Sequence, residues 1–161
     1  MGRNIYKRKN KVSHIISTTI RNICLAFLIA LVFSFAFGYK FLNILTGSMT
    51  PTMPVNTVVI IKEIPMEDIE VGDVVTFKMG DSNVTHRVVE IDNRNPRNIV
   101  LKTQGDAAQN QGTRETVTKD NYVGTVIYYI PNLGELLEIV KNNMAIIVVC
   151  VVLALFIITY S

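Results

Sequence analysis

A serine stands in the segment Leu45-Thr46-Gly47-Ser48-Met49-Thr50-Pro51-Thr52-Met53. Pro51 biases Thr50 toward an extended backbone, so the segment resists regular helix and leaves the Ser48 hydroxyl exposed. A serine hydroxyl is a poor nucleophile near neutral pH and needs an adjacent base. Imidazole, which changes charge near pH 6.5 when unperturbed, suits that task. The chain has two histidines, His14 and His86, the second within Thr85-His86-Arg87-Val88-Val89. A carboxylate beside an imidazole fixes its tautomer and stabilises the imidazolium formed on proton transfer. Asp106, in Gln104-Gly105-Asp106, is the first candidate, with Asp120 as the alternative. Nucleophile, base and carboxylate together point to acyl transfer. Taken singly, each has a plainer reading: a linker serine, a strand-borne structural histidine, and an aspartate closing a turn.

What must position these groups is a membrane-anchored domain. The apolar residues, 49% of the chain, concentrate at its two ends. Ile23 to Tyr39 and Met144 to Tyr160 are uncharged runs of 17 residues each. As helices they reach about 25 Å, near the lower limit for a bilayer core of about 30 Å. Residues 1–22 carry six of the 16 basic residues and none of the 13 acidic ones, so the basic balance of the chain resides in this tail. Such a tail stays in the cytoplasm under the positive-inside rule. This predicts a cytoplasmic tail 1–22, a transmembrane helix 23–39, an external domain 40–143 and a second transmembrane helix 144–160. His86 is then the sole external histidine. No interleaving of basic and aromatic residues marks a nucleic-acid surface, so the charge is read as topology. Cys24 and Cys150 both fall in the apolar runs, which speaks against a disulfide framework, a metal site or a thiol enzyme. A cleaved secretory signal ending at Ala36-Phe37-Gly38 is the alternative reading of the first run.

Between the runs, Thr57 to Lys62, Asp73 to Phe77, Thr85 to Ile91, Ile99 to Thr103 and Tyr122 to Ile130 are dense in Val, Ile, Thr and Tyr, and turn residues separate them. The expected fold is a small, mostly antiparallel β domain held by two transmembrane helices. Ala107 to Thr113 reads as a polar loop. The spacing from Gly134 to Val140 predicts a short interfacial helix leading into the second run.

Gly-Ser-Met-x-Pro just outside a transmembrane helix, then Val71-Gly72-Asp73-Val74-Val75, then Thr85-His86-Arg87-Val88, then Gly105-Asp106, in that order, closely resembles the type I signal peptidases. It resembles most the endoplasmic-reticulum-type branch of archaea, some Gram-positive bacteria and the eukaryotic complex, in which histidine replaces the lysine of most bacterial members. The resemblance covers about Leu25 to Gly134. It implies a serine endopeptidase that cuts signal peptides from exported preproteins, with Ser48 as nucleophile, His86 as base and Asp106 in the family's Gly-Asp motif. Thr46 matches the position whose hydroxyl assists the Ser48 backbone N–H in holding the oxyanion. The implied partners are preproteins with small side chains at the first and third positions before the cut, and the bilayer itself. No metal or organic cofactor is implied, and the resemblance leaves accessory membrane subunits open. The chain departs from many relatives at Gln104, where they have Lys, and at Gly112, where they have a second Asp. The carboxylate that orients His86 therefore stays open between Asp106 and Asp120. Lys78 is a rival base, although it does not occupy the matching position. A non-enzymatic β module anchored at both ends is the competing class. Asn83-Val84-Thr85 fits a glycosylation acceptor, but a glycan so near His86 would obstruct the site.

Overall fold

The computed structural model describes residues 14–26, 28, 29, 33, 36–95 and 98–160. Seven strands form the central part of the chain: β1 (Tyr39–Ile44), β2 (Thr57–Lys62), β3 (Val74–Met79), β4 (Ser82–Asp92), β5 (Val100–Gln104), β6 (Glu115–Val117) and β7 (Tyr122–Ile130). They make one sheet in the order β1-β2-β7-β3-β4-β5-β6. Every pairing is antiparallel. The last strand in sequence, β7, thus lies between β2 and β3 and joins the amino-terminal hairpin to the β3–β6 meander.

Two apolar clusters hold the sheet. Ile44, Met49, Met53, Val59, Ile61 and Val74 form one, and Ile69, Val75, Phe77, Val88, Leu101 and Val117 the other. Met49 and Met53 come from the loop between β1 and β2 and are almost completely buried. Full burial of a side chain of this size stabilises by about 1.5–3 kcal/mol, so these two methionines tie that irregular loop to the core.

Five of the strands fall on the five runs expected, with β2 and β7 matching residue for residue. Two were not foreseen. β6 is three residues long. β1 begins at Tyr39, inside the stretch expected as the first transmembrane helix. The last described helical residue before the sheet is residue 36, and Gly38 turns the chain with φ +77, a conformation a side chain would oppose. The expected helix Ile23–Tyr39 therefore stops short of its last residues. Positions 27, 30–32, 34 and 35 of it lie outside the described residues, as do 1–13 of the basic tail.

Residues 14–26 are helical (α1). At the other end, α2 (Gly134–Asn142) and α3 (Met144–Tyr160) occupy the segments expected for the interfacial helix and the second apolar run. Among the described residues no helix is both long and apolar enough to cross a membrane. The chain divides into two compact units, Gly38–Ile139 and a unit drawn from the chain ends, within Met1–Phe37 and Val140–Ser161. The candidate site lies wholly in the first.

Candidate active site

Ser48 occupies a single 3₁₀ turn, Gly47–Met49, in the β1–β2 loop. The Thr50 N–H donates to the Gly47 carbonyl at 3.0 Å and the Met53 N–H to the Met49 carbonyl at 2.8 Å. Thr50 is extended (φ −70, ψ 137), as a residue before proline should be. Ser48 is half-buried, next to the fully buried Met49. Its Oγ lies 3.2 Å from the Oγ1 of Thr46, which is exposed. The turn packs against β4, the strand that carries His86.

His86 is 6% exposed and lies opposite Val75 in the β3–β4 ladder, its ring edge-on to Phe77 at 6.2 Å. Its Nδ1 is 2.9 Å from Oε2 of Glu115. A carboxylate only accepts, so Nδ1 carries the proton and donates, which leaves Nε2 as the lone-pair nitrogen. Nε2 is buried and, among the described residues, has no hydrogen-bond partner. Glu115 stands on β6, two strands from β4, opposite Thr103 of β5, whose hydroxyl also donates to Oε2 at 3.4 Å. Two strand spacings are about 10 Å, a gap that two long side chains can close together above the small Thr103.

The sequence reading offered Asp106 or Asp120 for this contact, and the geometry differs. Asp106 is gripped by Arg87: Nε donates to Oδ1 at 2.9 Å and a terminal nitrogen to Oδ2 at 2.6 Å. The guanidinium's other terminal nitrogen donates to the Gly72 carbonyl at 2.7 Å. The Arg87 bonds hold the Asp106 carboxyl below the usual carboxylate range, and burial opposes them. Arg87 follows His86 directly, and successive residues of a strand face opposite ways, so its partner need not be the histidine's. Asp120 is exposed in the turn between β6 and β7. Lys78 is exposed on β3 and pairs with Asn83. It stands an odd number of residues from Val75, so it projects from the opposite face of the sheet to His86.

The segment expected as a plain loop, Ala107 to Thr113, contains a short 3₁₀ turn, Ala108–Asn110, and reaches the serine. The Ser48 carbonyl accepts from the Ala107 N–H at 2.9 Å and from Asn110 Nδ2 at 3.0 Å. Glu115 and Asn110 were thus missed in the sequence. The one signal for Glu115 was the brief Glu-Thr-Val run after Gly112, too short to read as a strand.

A turn-borne hydroxyl packed against a strand whose buried imidazole has one nitrogen bound to a carboxylate and the other free is the set of groups used in serine-type acyl transfer. Residues 16–126 match the model of the signal peptidase, peptidase S26 family, and the chain belongs to that family. Over 94 residues it is 35% identical to Signal peptidase I W of Bacillus subtilis (strain 168), an alignment covering 55% of this chain and 48% of that protein. The chain thus spans about half the length of the curated relative it matches.

Proposed function

We propose that this chain is a membrane-bound serine endopeptidase that removes signal peptides from exported preproteins, with Ser48 as nucleophile and His86 as general base. The observation that carries the reading is the asymmetry of His86: Nδ1 is engaged by Glu115 while Nε2 is buried and unpartnered, on the strand against which the Ser48 turn packs. Ser48 Oγ attacks the carbonyl carbon of the scissile bond as its proton passes to Nε2. The imidazolium, stabilised by Glu115, then protonates the leaving amine. Water, deprotonated by the same nitrogen, releases the acyl group from Ser48. Thr46, with its hydroxyl beside Ser48 Oγ, is the candidate to assist the Ser48 N–H at the oxyanion. Asp106 serves as a strut, not as the orienting carboxylate.

The bilayer is part of the proposal. Residues 1–22 lie in the cytoplasm, the apolar run from Ile23 to the turn at Gly38 and the run 144–160 supply the anchors, and residues 39–143 face outward. A substrate embedded in the same bilayer then meets the enzyme in two dimensions at fixed height. The test is processing in isolated membranes: a model preprotein with Ala at the first and third positions before the junction is incubated with and without the chain, and the product's new amino terminus is sequenced. Cleavage after the small residue only when the chain is present supports the reading. An intact preprotein favours the non-enzymatic module.

A further inference from the structure

Within its own turn, the Ser48 carbonyl is passed over. The turn's hydrogen bonds use the carbonyls of Gly47 and Met49, whereas the Ser48 carbonyl accepts both its bonds from the segment after β5. We propose that Asn110 is a positioning residue for the nucleophile, acting through that carbonyl; the inference rests on the Ser48 reading above.

The Ser48–Met49 peptide plane is fixed at both ends, by the two donors on its oxygen and by the completely buried Met49 side chain. The Gly47–Ser48 plane on the other side is held by the Thr50 N–H donating to the Gly47 carbonyl at 3.0 Å, and between two fixed planes φ and ψ of Ser48, and with them the direction of the Cα–Cβ bond, are set. Only the rotation about that bond then remains to place Oγ. Asn110 is itself held, its N–H donating to Ala107 O at 2.8 Å and its carbonyl accepting from the Thr113 N–H at 3.1 Å. Gly105 makes room for the clasp: a Cβ there would run into the Asn110 amide and lie 2.6 Å from the Ser48 oxygen. The Ala107 N–H alone satisfies the carbonyl, so the Asn110 side chain adds orientation. Misplacing a reacting group by about 1 Å can cost about 10²-fold in rate.

The test uses the full chain in membranes with the model preprotein. Asn110→Asp keeps the shape but turns an acceptor toward the Ser48 oxygen, and Asn110→Ala removes the donor without that repulsion. Each should lower kcat by about 10- to 100-fold, with KM and the melting temperature near wild type. In Asn110→Ala, which introduces no charge, the midpoint of the pH profile should not move, because His86 and Glu115 are untouched. Wild-type kcat per folded enzyme in either variant overturns the proposal, as does failure of both variants to fold, which would assign Asn110 to the fold alone. Ser48→Ala in the same assay separates the two levels. If it is inert while Asn110→Asp is fully active, only the Asn110 role falls. If it cleaves, the Ser48 reading falls and takes this inference with it.

Discussion

His86 uses its two ring nitrogens differently, and the carboxylate that makes the difference is a glutamate on an edge strand. Glu115→Gln keeps the length of the side chain but removes the charge that stabilises the imidazolium and presents a donor to Nδ1. Turnover should fall by up to about 10⁴, the cost of the equivalent loss in a well-studied serine protease, with little loss of folded protein. Steady-state rates on matched amounts of folded protein check this, and unchanged turnover would return the role to another carboxylate. Asp106 should behave in the opposite manner. Its carboxyl is held low by Arg87, so its folded pKa lies below the unfolded value of about 3.9. The stability it contributes is present above that unfolded value and is lost as pH falls through the folded one. Asp106→Asn should therefore lower unfolding stability at pH 7 by roughly 1–3 kcal/mol, the scale of hydrogen bonds to charged groups. Urea titrations of the two proteins should converge under strongly acidic conditions, and a constant difference at every pH would contradict the ion-pair account.

The elements bring these residues together by register. β3 and β4 pair without a bulge, from Val74 opposite Arg87 to Met79 opposite Ser82, which fixes His86 and Lys78 on opposite faces. The β1–β2 loop is tied at its far end to α2: Asn56 accepts from the Gly134 N–H through its carbonyl at 3.0 Å and from the Glu135 N–H through its side chain at 2.5 Å. Asn56 also has φ 69. Asn56→Gly tolerates that backbone but loses the side-chain hydrogen bond, so it should cost about 1 kcal/mol in urea unfolding. No change would mean that water replaces that bond. The strands rich in Val, Ile and Thr were legible in the sequence because β-branched residues mark them directly. β1 was not, since Tyr39-Lys40-Phe41-Leu42 continues the apolar run before it and only the turn at Gly38 separates the two. Ser48 and His86 could be put forward from the sequence because each sits in a local motif with a chemical rationale. Glu115 was hidden because its contact depends on stacking β4, β5 and β6 in register, a long-range fact that motif spacing does not contain.

At the scale of the whole molecule, the proposed chemistry and the proposed topology depend on each other, since under that reading a preprotein's cleavage site is met only on the outer face. In the proposed topology the basic, acid-free tail is what directs the chain. A reporter inserted after Gly80, in the exposed β3–β4 turn, should be reachable only from the extracytoplasmic side. Labelling from the cytoplasm would reverse the topology and separate the site from its substrate. The central claim is that the Ser48 hydroxyl performs the cut, and it is tested most directly by comparing preprotein processing by wild type and by Ser48→Ala, inserted in equal amounts in membranes free of other peptidases. Replacing a half-buried serine by the smaller alanine should leave the protein folded while the preprotein stays intact over a period in which wild type converts all of it. Processing by Ser48→Ala at the wild-type rate would contradict the account.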